Sequence, residues 1–200
     1  VSINSNPELC VPDLHWERIS DSVSLSGNGE CEMAERDCGR EVDGLVTEDT
    51  TWSLLDGPVH VTSSLMVMEG VTLTIEPGVT VCMARDQGLT VRGSLVARGT
   101  AGSPIEFTSA ETYPGSGYWG SIDILPMAED AIVDETGAYS GGVALDYVDV
   151  RYGGGGESTA AVRATNAAIF ADYLRIENSA QSGLSIVGES GDGTIPMSWI

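Results

Sequence analysis

Four apolar residues, Val59, Ile75, Val91 and Phe107, recur at a step of sixteen residues. Leu73, Leu89 and Ile105 keep that step two positions earlier, and Leu65, Val81 and Ala97 keep it in a further set. The stretches that carry them alternate apolar and polar residues, as in "VTLTIEPGVTV". That is the period of two of a strand, not the three-and-four spacing of a helix. Short strands returning at a fixed step, with Gly between them, mark a stacked solenoid. The spacing predicts an all-β chain wound as a parallel β-helix. Each sixteen-residue unit forms most of one coil, so residues one unit apart sit one above the other.

The period divides the chain in two. Residues 1–44 have little periodicity and hold Pro7, Pro12, three of the four cysteines and an acidic run from Glu30 to Asp37. They read as an irregular N-terminal cap, with a short helix over Cys31–Arg40 and with Leu9, Val11, Leu14 and Trp16 covering the open end of the first coil. Residues 45–200 read as the β-helix. Gly57-Pro58, Pro77-Gly78 and Gly93 punctuate its strands as turn residues. After Phe107 the step loosens, with a Gly-Pro loop at 111–119 and an acidic loop at 126–142. Inward strands resume at Leu145, Val148 and Val150 and continue through Val162, Ile169, Leu174, Ile176, Leu184 and Ile186, on coils nearer twenty-two to twenty-six residues. Asn178 has the place of a turn asparagine, and Gly153 to Gly156 read as a flexible turn. The ending "TIPMSWI" enters a fresh coil. The solenoid is therefore expected to be truncated there, or to be continued or covered by other chain.

Charge excludes some partners. Thirty Asp and Glu face nine basic residues, every one an Arg, for a net charge of −21. Nucleic acid and anionic lipid are held by clustered Lys and Arg, so neither is an expected partner. No apolar run reaches the length of a membrane span, so membrane insertion is not expected. No charged-then-apolar leader is present, so an export signal would have been removed or lie outside these residues. Cys10, Cys31, Cys38 and Cys82 form an even set, the pattern of disulfides in an exported protein, with three connectivities open. Cys82 lies between inward Val81 and Met83 and so points outward, within reach of the cap.

The segments "VTLTIEPGVTVCMARDQGLTVRGSLVARGTAGSPIEFTSA", "YWGSIDIL", "LDYVDVRYGGG" and "LRIENSAQSGLSI" resemble the right-handed parallel β-helix repeat proteins that bacteria export or carry on the cell surface. The likeness spans roughly residues 44 to 200. It implies a right-handed coil and an extracellular or bacterial cell-surface location. The same fold hosts pectate lyases, polygalacturonases and other polysaccharide-active enzymes, and a fold does not choose among functions. No motif specific to those enzymes occurs. The expected function is a non-catalytic extracellular scaffold, an adhesin or a self-assembling surface or filament subunit, with other protein chains as partners. The alternative is a polysaccharide-binding or polysaccharide-cleaving module.

Stacking the outward residues at sixteen gives two columns. His60, Glu76, Arg92 and Thr108 form one, which reads as a cross-strand charge ladder worth about 0.2–1 kcal/mol per pair. Thr74, Thr90, Glu106 and, after a one-residue slip, Asp123 form the other. Two carboxylates stacked directly repel unless a cation, a shared proton or a diagonal Arg92 relieves them. Glu106 and Asp123 with Arg92 are therefore the candidates for an acid/base pair or for a calcium site; no cofactor is expected apart from that candidate calcium. An ordinary solvated acidic face is the reading preferred to both. His15 and His60 are the only histidines, which leaves a hydrolase triad little to work with.

Overall fold

The structure, a computed structural model, describes residues 36–188 together with the backbone of two short strands near the N-terminus. The chain divides into two compact units, residues 1–35 with 111–113 and residues 36–110 with 114–200. In the first, β1 (Ser2–Asn4) pairs in parallel with β2 (Ser24–Ser26). Leu9, Val11, Leu14 and Trp16, and the cysteines Cys10 and Cys31, lie outside the described residues. Of the expected helix over Cys31–Arg40, the described part is not helical: residues 36–39 carry no regular structure and Arg40 opens a strand.

The second unit is a parallel β-helix with three strand columns, here faces A, B and C. The first described coil is β3 (Arg40–Val46), which runs along faces A and B, and β4 (Thr50–Trp52) on face C. Next come β5 (Val59–Val67) on A and B and β6 (Thr72–Ile75) on C. The third coil is β7 (Thr80–Met83), β8 (Leu89–Val91) and β9 (Ser94–Arg98). The fourth starts with β10 (Ile105–Ser109) and β11 (Ile122–Ile124). A small antiparallel hairpin, β12 (Ile132–Val133) and β13 (Tyr139–Gly141), precedes its return to face C. There β14 (Ala144–Arg151) turns the corner from C to A without interruption. Then follow β15 (Ala160–Thr165), β16 (Phe170–Glu177), which turns the same corner, and β17 (Ser182–Val187). All thirteen strands of this sheet pair in parallel.

The expected fold class is thus present, but the register is corrected. Val59 pairs with Val81, 22 residues on, and Val81 with Phe107, 26 on. Ile75 is flanked by Trp52 and Ala97, and Val91 by Val67 and Ile124, so Ile75 and Val91 are not neighbours in a column. A coil has three sides of about eight residues each, counting a strand and its corner. Sixteen residues therefore cover two sides, and successive sixteen-residue steps pass from face A to C to B and back to A two coils higher. The recurrence is real, but it counts sides.

Inward side chains fill the tube. Val59, Val81, Phe107 and Val150 are fully buried on face A, Val67, Val91 and Ile124 on face B, and Leu73, Leu95 and Leu145 on face C. Each such side chain contributes about 1.5–3 kcal/mol on removal from water; at the last coil Leu174, Ile176 and Leu184 are only partly buried and Ile186 is exposed. Corners are set by backbones that few side chains tolerate. Tyr147 and Tyr173 both take left-handed φ values, 49° and 48°, at the C-to-A corner, and their rings stack with centroids 4.2 Å apart. Asn178, expected in a turn, is left-handed too, φ 54°, one coil above Tyr152 at φ 64°.

The hairpin lies over face C, with Tyr139 5.5 Å from Phe170 and under the Arg98 guanidinium at 4.8 Å. At its tip Asp134 Oδ1 accepts hydrogen bonds from the Thr136 hydroxyl at 2.6 Å and from the Thr136 and Ala138 amides at 2.8 and 3.0 Å. The Thr136 hydroxyl first, then these amides, hold the carboxyl below its ordinary value of 3.8. A depressed folded value stabilises the turn above pH 3.8 and withdraws that support as pH falls through the folded value. Protection of the Thr136 and Ala138 amides should therefore fade in acid, measured by hydrogen exchange. It should be low at every pH in Asp134→Ala.

Candidate functional site

With the true register, the outward residues regroup. On face A, Thr80, Glu106, Asp149 and Arg175 form one column, and His60, Cys82 and Thr108 belong to the next. On face B the column is Met66, Thr90, Asp123, Arg163 and Ser185. Glu106 and Asp123 therefore stand on different faces, and the expected carboxylate stack is not formed. Arg92 follows β8 at the B-to-C corner, where its amide donates to Val67 O at 2.9 Å and its Nε is buried without a hydrogen-bond partner among the described residues. Glu76 accepts from the Leu54 amide at 3.3 Å at the opposite corner. His60, Glu76, Arg92 and Thr108 form no ladder.

Each of the two carboxylates has an arginine instead. Arg151 lies among three acids of face A, with Nη1 3.1 Å from Glu106, Nη2 3.0 Å from Asp149 and Nε 3.5 Å from Glu177. The last is an ion contact rather than a hydrogen bond. Arg175 also reaches Glu177, so these two arginines share a face, whereas Arg163 belongs to face B. Arg163 Nε donates to Asp123 Oδ1 at 2.8 Å, and the Ser121 hydroxyl donates to Oδ2 at 2.6 Å. Ser158 in turn donates to Ser121 at 3.2 Å. Asp123 and Arg163 are about one-third exposed, 27% and 39% of their side chains, so water screens the pair to roughly 0–1 kcal/mol. Its importance is positional.

This chain of contacts floors a cleft of about 460 Å³ between face B and the A-to-B corner loops. Asp86, Glu157, Ser158, Thr90 and Arg163 line it, with backbone from Gly88, Gly120, Gly155 and Gly156. The corner behind it is built from the glycine run. Gly154 and Gly155 donate to Gly120 O at 2.6 Å and Trp119 O at 2.9 Å. Any Cβ on Gly155 would collide with Gly117 O. The run expected to be a flexible turn is thus a close-packed one, with Gly153 to Gly155 buried. Trp119 is fully buried behind it and donates Nε1 to Arg151 O at 2.7 Å. Ser121, Ser158, Asp86, Glu157 and Arg163 had no signal at a fixed step, because Asp123 and Arg163 are 40 residues apart across two insertions.

Of the cysteines, Cys38 and Cys82 form a disulfide. Among the described residues, no three acidic, His or Cys side chains converge as a metal cluster would, and no helix is long and apolar enough to cross a membrane.

Three parallel strand columns around a continuous apolar axis, with a polar cleft on one outer face, define a parallel β-helix domain. The chain belongs to the pectate-lyase-like beta helix domain family, whose model matches residues 44–189. No curated protein and no solved structure matches it.

Proposed function

We propose that the chain is a non-catalytic β-helix module of an extracellular protein, a rigid scaffold that presents the face B cleft to carbohydrate. The observation that carries this reading is the pairing of the cleft carboxylate: Asp123 has one oxygen on Arg163 and the other on Ser121. A carboxylate engaged at both oxygens is poorly placed to take a proton from substrate, whereas one held still is well placed to accept sugar hydroxyls. The Glu106 carboxylate is likewise held by Arg151, on a different face. Family membership supports a polysaccharide-related or scaffold role. The Cys38–Cys82 disulfide supports an oxidising, extracellular compartment.

The test is to incubate the purified chain with a panel of soluble polysaccharides, scoring retention on affinity gels beside release of reducing ends and of unsaturated sugar products. Retention without product is expected. Cleavage that disappears in Asp123→Asn would replace this reading with the enzymatic one.

A further inference from the structure

The charge of the same cleft points to a narrower ligand class, an inference that rests on the carbohydrate-binding reading above. Its charged lining is Asp86, Asp123, Glu157 and Arg163, three carboxylates against one guanidinium. Arg163 is already bonded to Asp123, so that pair is locally neutral. Asp86 and Glu157 are both exposed, and neither has an ion-pair partner among the described residues. They share one rim. Asp86 Oδ1 lies 3.9 Å from where a Cβ on Gly156 would be, and Glu157 is the next residue. Asp86 comes from the A-to-B corner of the third coil and Glu157 from that of the fifth, and both line the cleft. Arg85, adjacent in sequence, is turned onto the Tyr118 ring, 4.6 Å from its centroid, and is not part of the lining.

We propose that this cleft takes a glycan bearing free amino groups, an amino-sugar polymer of the glucosamine type, and rejects uronate polymers. A uronate chain brings one carboxylate per sugar to a rim whose unpaired charges are both negative, on a chain of net charge −21 that contains no Lys. Like charges brought together at an interface are a principal means of rejecting a partner. An ammonium group meets the opposite situation. It is a compact cation with three donors, and the two rim carboxylates offer it acceptors that nothing else in the cleft satisfies. Hydroxyls of neighbouring sugars can then donate to the Ser121 and Ser158 oxygens and to Asp123 on the floor. The selectivity predicted here runs opposite to the polyanionic substrate in the family's name.

The test is calorimetric titration of the intact chain with three probes: glucosamine oligomers, their fully N-acetylated counterparts and oligogalacturonate. Glucosamine oligomers should bind, the acetylated oligomers should bind at least about tenfold more weakly, and oligogalacturonate should show no heat. Ten-fold corresponds to about 1.4 kcal/mol, the scale of a pair of charge-assisted contacts at a solvated rim. Near-molar salt should remove most of the difference. The double variant Asp86→Asn/Glu157→Gln should equalise the two amino-sugar forms. Asn suits the left-handed backbone at position 86, φ 59°, so the corner is retained. Equal binding of free and acetylated oligomers by the unaltered chain, or binding of oligogalacturonate, overturns the proposal and leaves carbohydrate binding in place. Silence of all three probes and of the wider polysaccharide panel removes both.

Discussion

Phe107→Ala should lower the stability of the chain by about 3–5 kcal/mol, read as a fall in the urea midpoint at unchanged slope. Phe107 is fully buried on face A, stacked between Val81 below and Val150 above. In a solenoid each coil is supported by its two neighbours only, so a cavity in the fourth coil weakens both of its interfaces. The fourth coil is also where the long loops leave the helix, at 110–121 and 125–143, so little else holds its face A strand in place. Phe107→Leu keeps most of the volume and should cost about a third as much. A loss under about 1 kcal/mol for the Ala variant would mean that Phe107 does not fill the tube between Val81 and Val150.

That stacking order also explains what could be read in the sequence. Strand, turn and the inward or outward sense of each side chain are local properties of alternation, and they were legible. Val81, Met83, Ile122, Ile124, Val148 and Val150 all point inward as their pattern requires, and Cys82 points outward to its partner. Register is not local. It depends on how many sides make a turn, and a polygon of near-equal sides repeats its apolar pattern at every multiple of one side. Choosing two sides instead of three leaves every inward residue inward and still misplaces every column. Thus Ile75 and Val91 were correctly assigned to the core and wrongly assigned to each other. The cleft suffered most. Its partners Asp123 and Arg163 are brought together by a coil of 40 residues, whose length is set by insertions that carry no period. Only the mutual exclusion of Arg163 from the face of Arg151 and Arg175 could have been argued from coil length.

Removing the Cys38–Cys82 disulfide, by Cys38→Ala, should cost about 2–4 kcal/mol and act first at the segment 36–40. The two cysteines are 44 residues apart. Closing a loop of that length in the unfolded chain costs on the order of 4 kcal/mol in the chain-entropy account. The native side offsets part of this. Cys82 is fully buried although it points away from the tube, because Cys38 and Ala110 cover it. His60 and Thr108 are its column neighbours, and His60 Nε2 and Thr108 Oγ1 are buried without a hydrogen-bond partner among the described residues. Such groups cost about 1–3 kcal/mol each while they stay dry. Lifting the segment lets water reach them, so opening is favoured locally; among the described residues the disulfide, with the Arg36 amide on Ala110 O at 3.0 Å and the Arg40 amide on Pro58 O at 3.1 Å, opposes it. The variant should therefore lose hydrogen-exchange protection at Arg36 and Arg40 while Phe107 and Val150 keep theirs, and the global midpoint should fall by the smaller, offset amount. Substitution, unlike reductant, confines the change to this one bond. Unchanged protection at Arg36 and Arg40, or a global loss under about 1 kcal/mol, would show that the segment is held by packing and that the buried imidazole and hydroxyl exert no pull toward water.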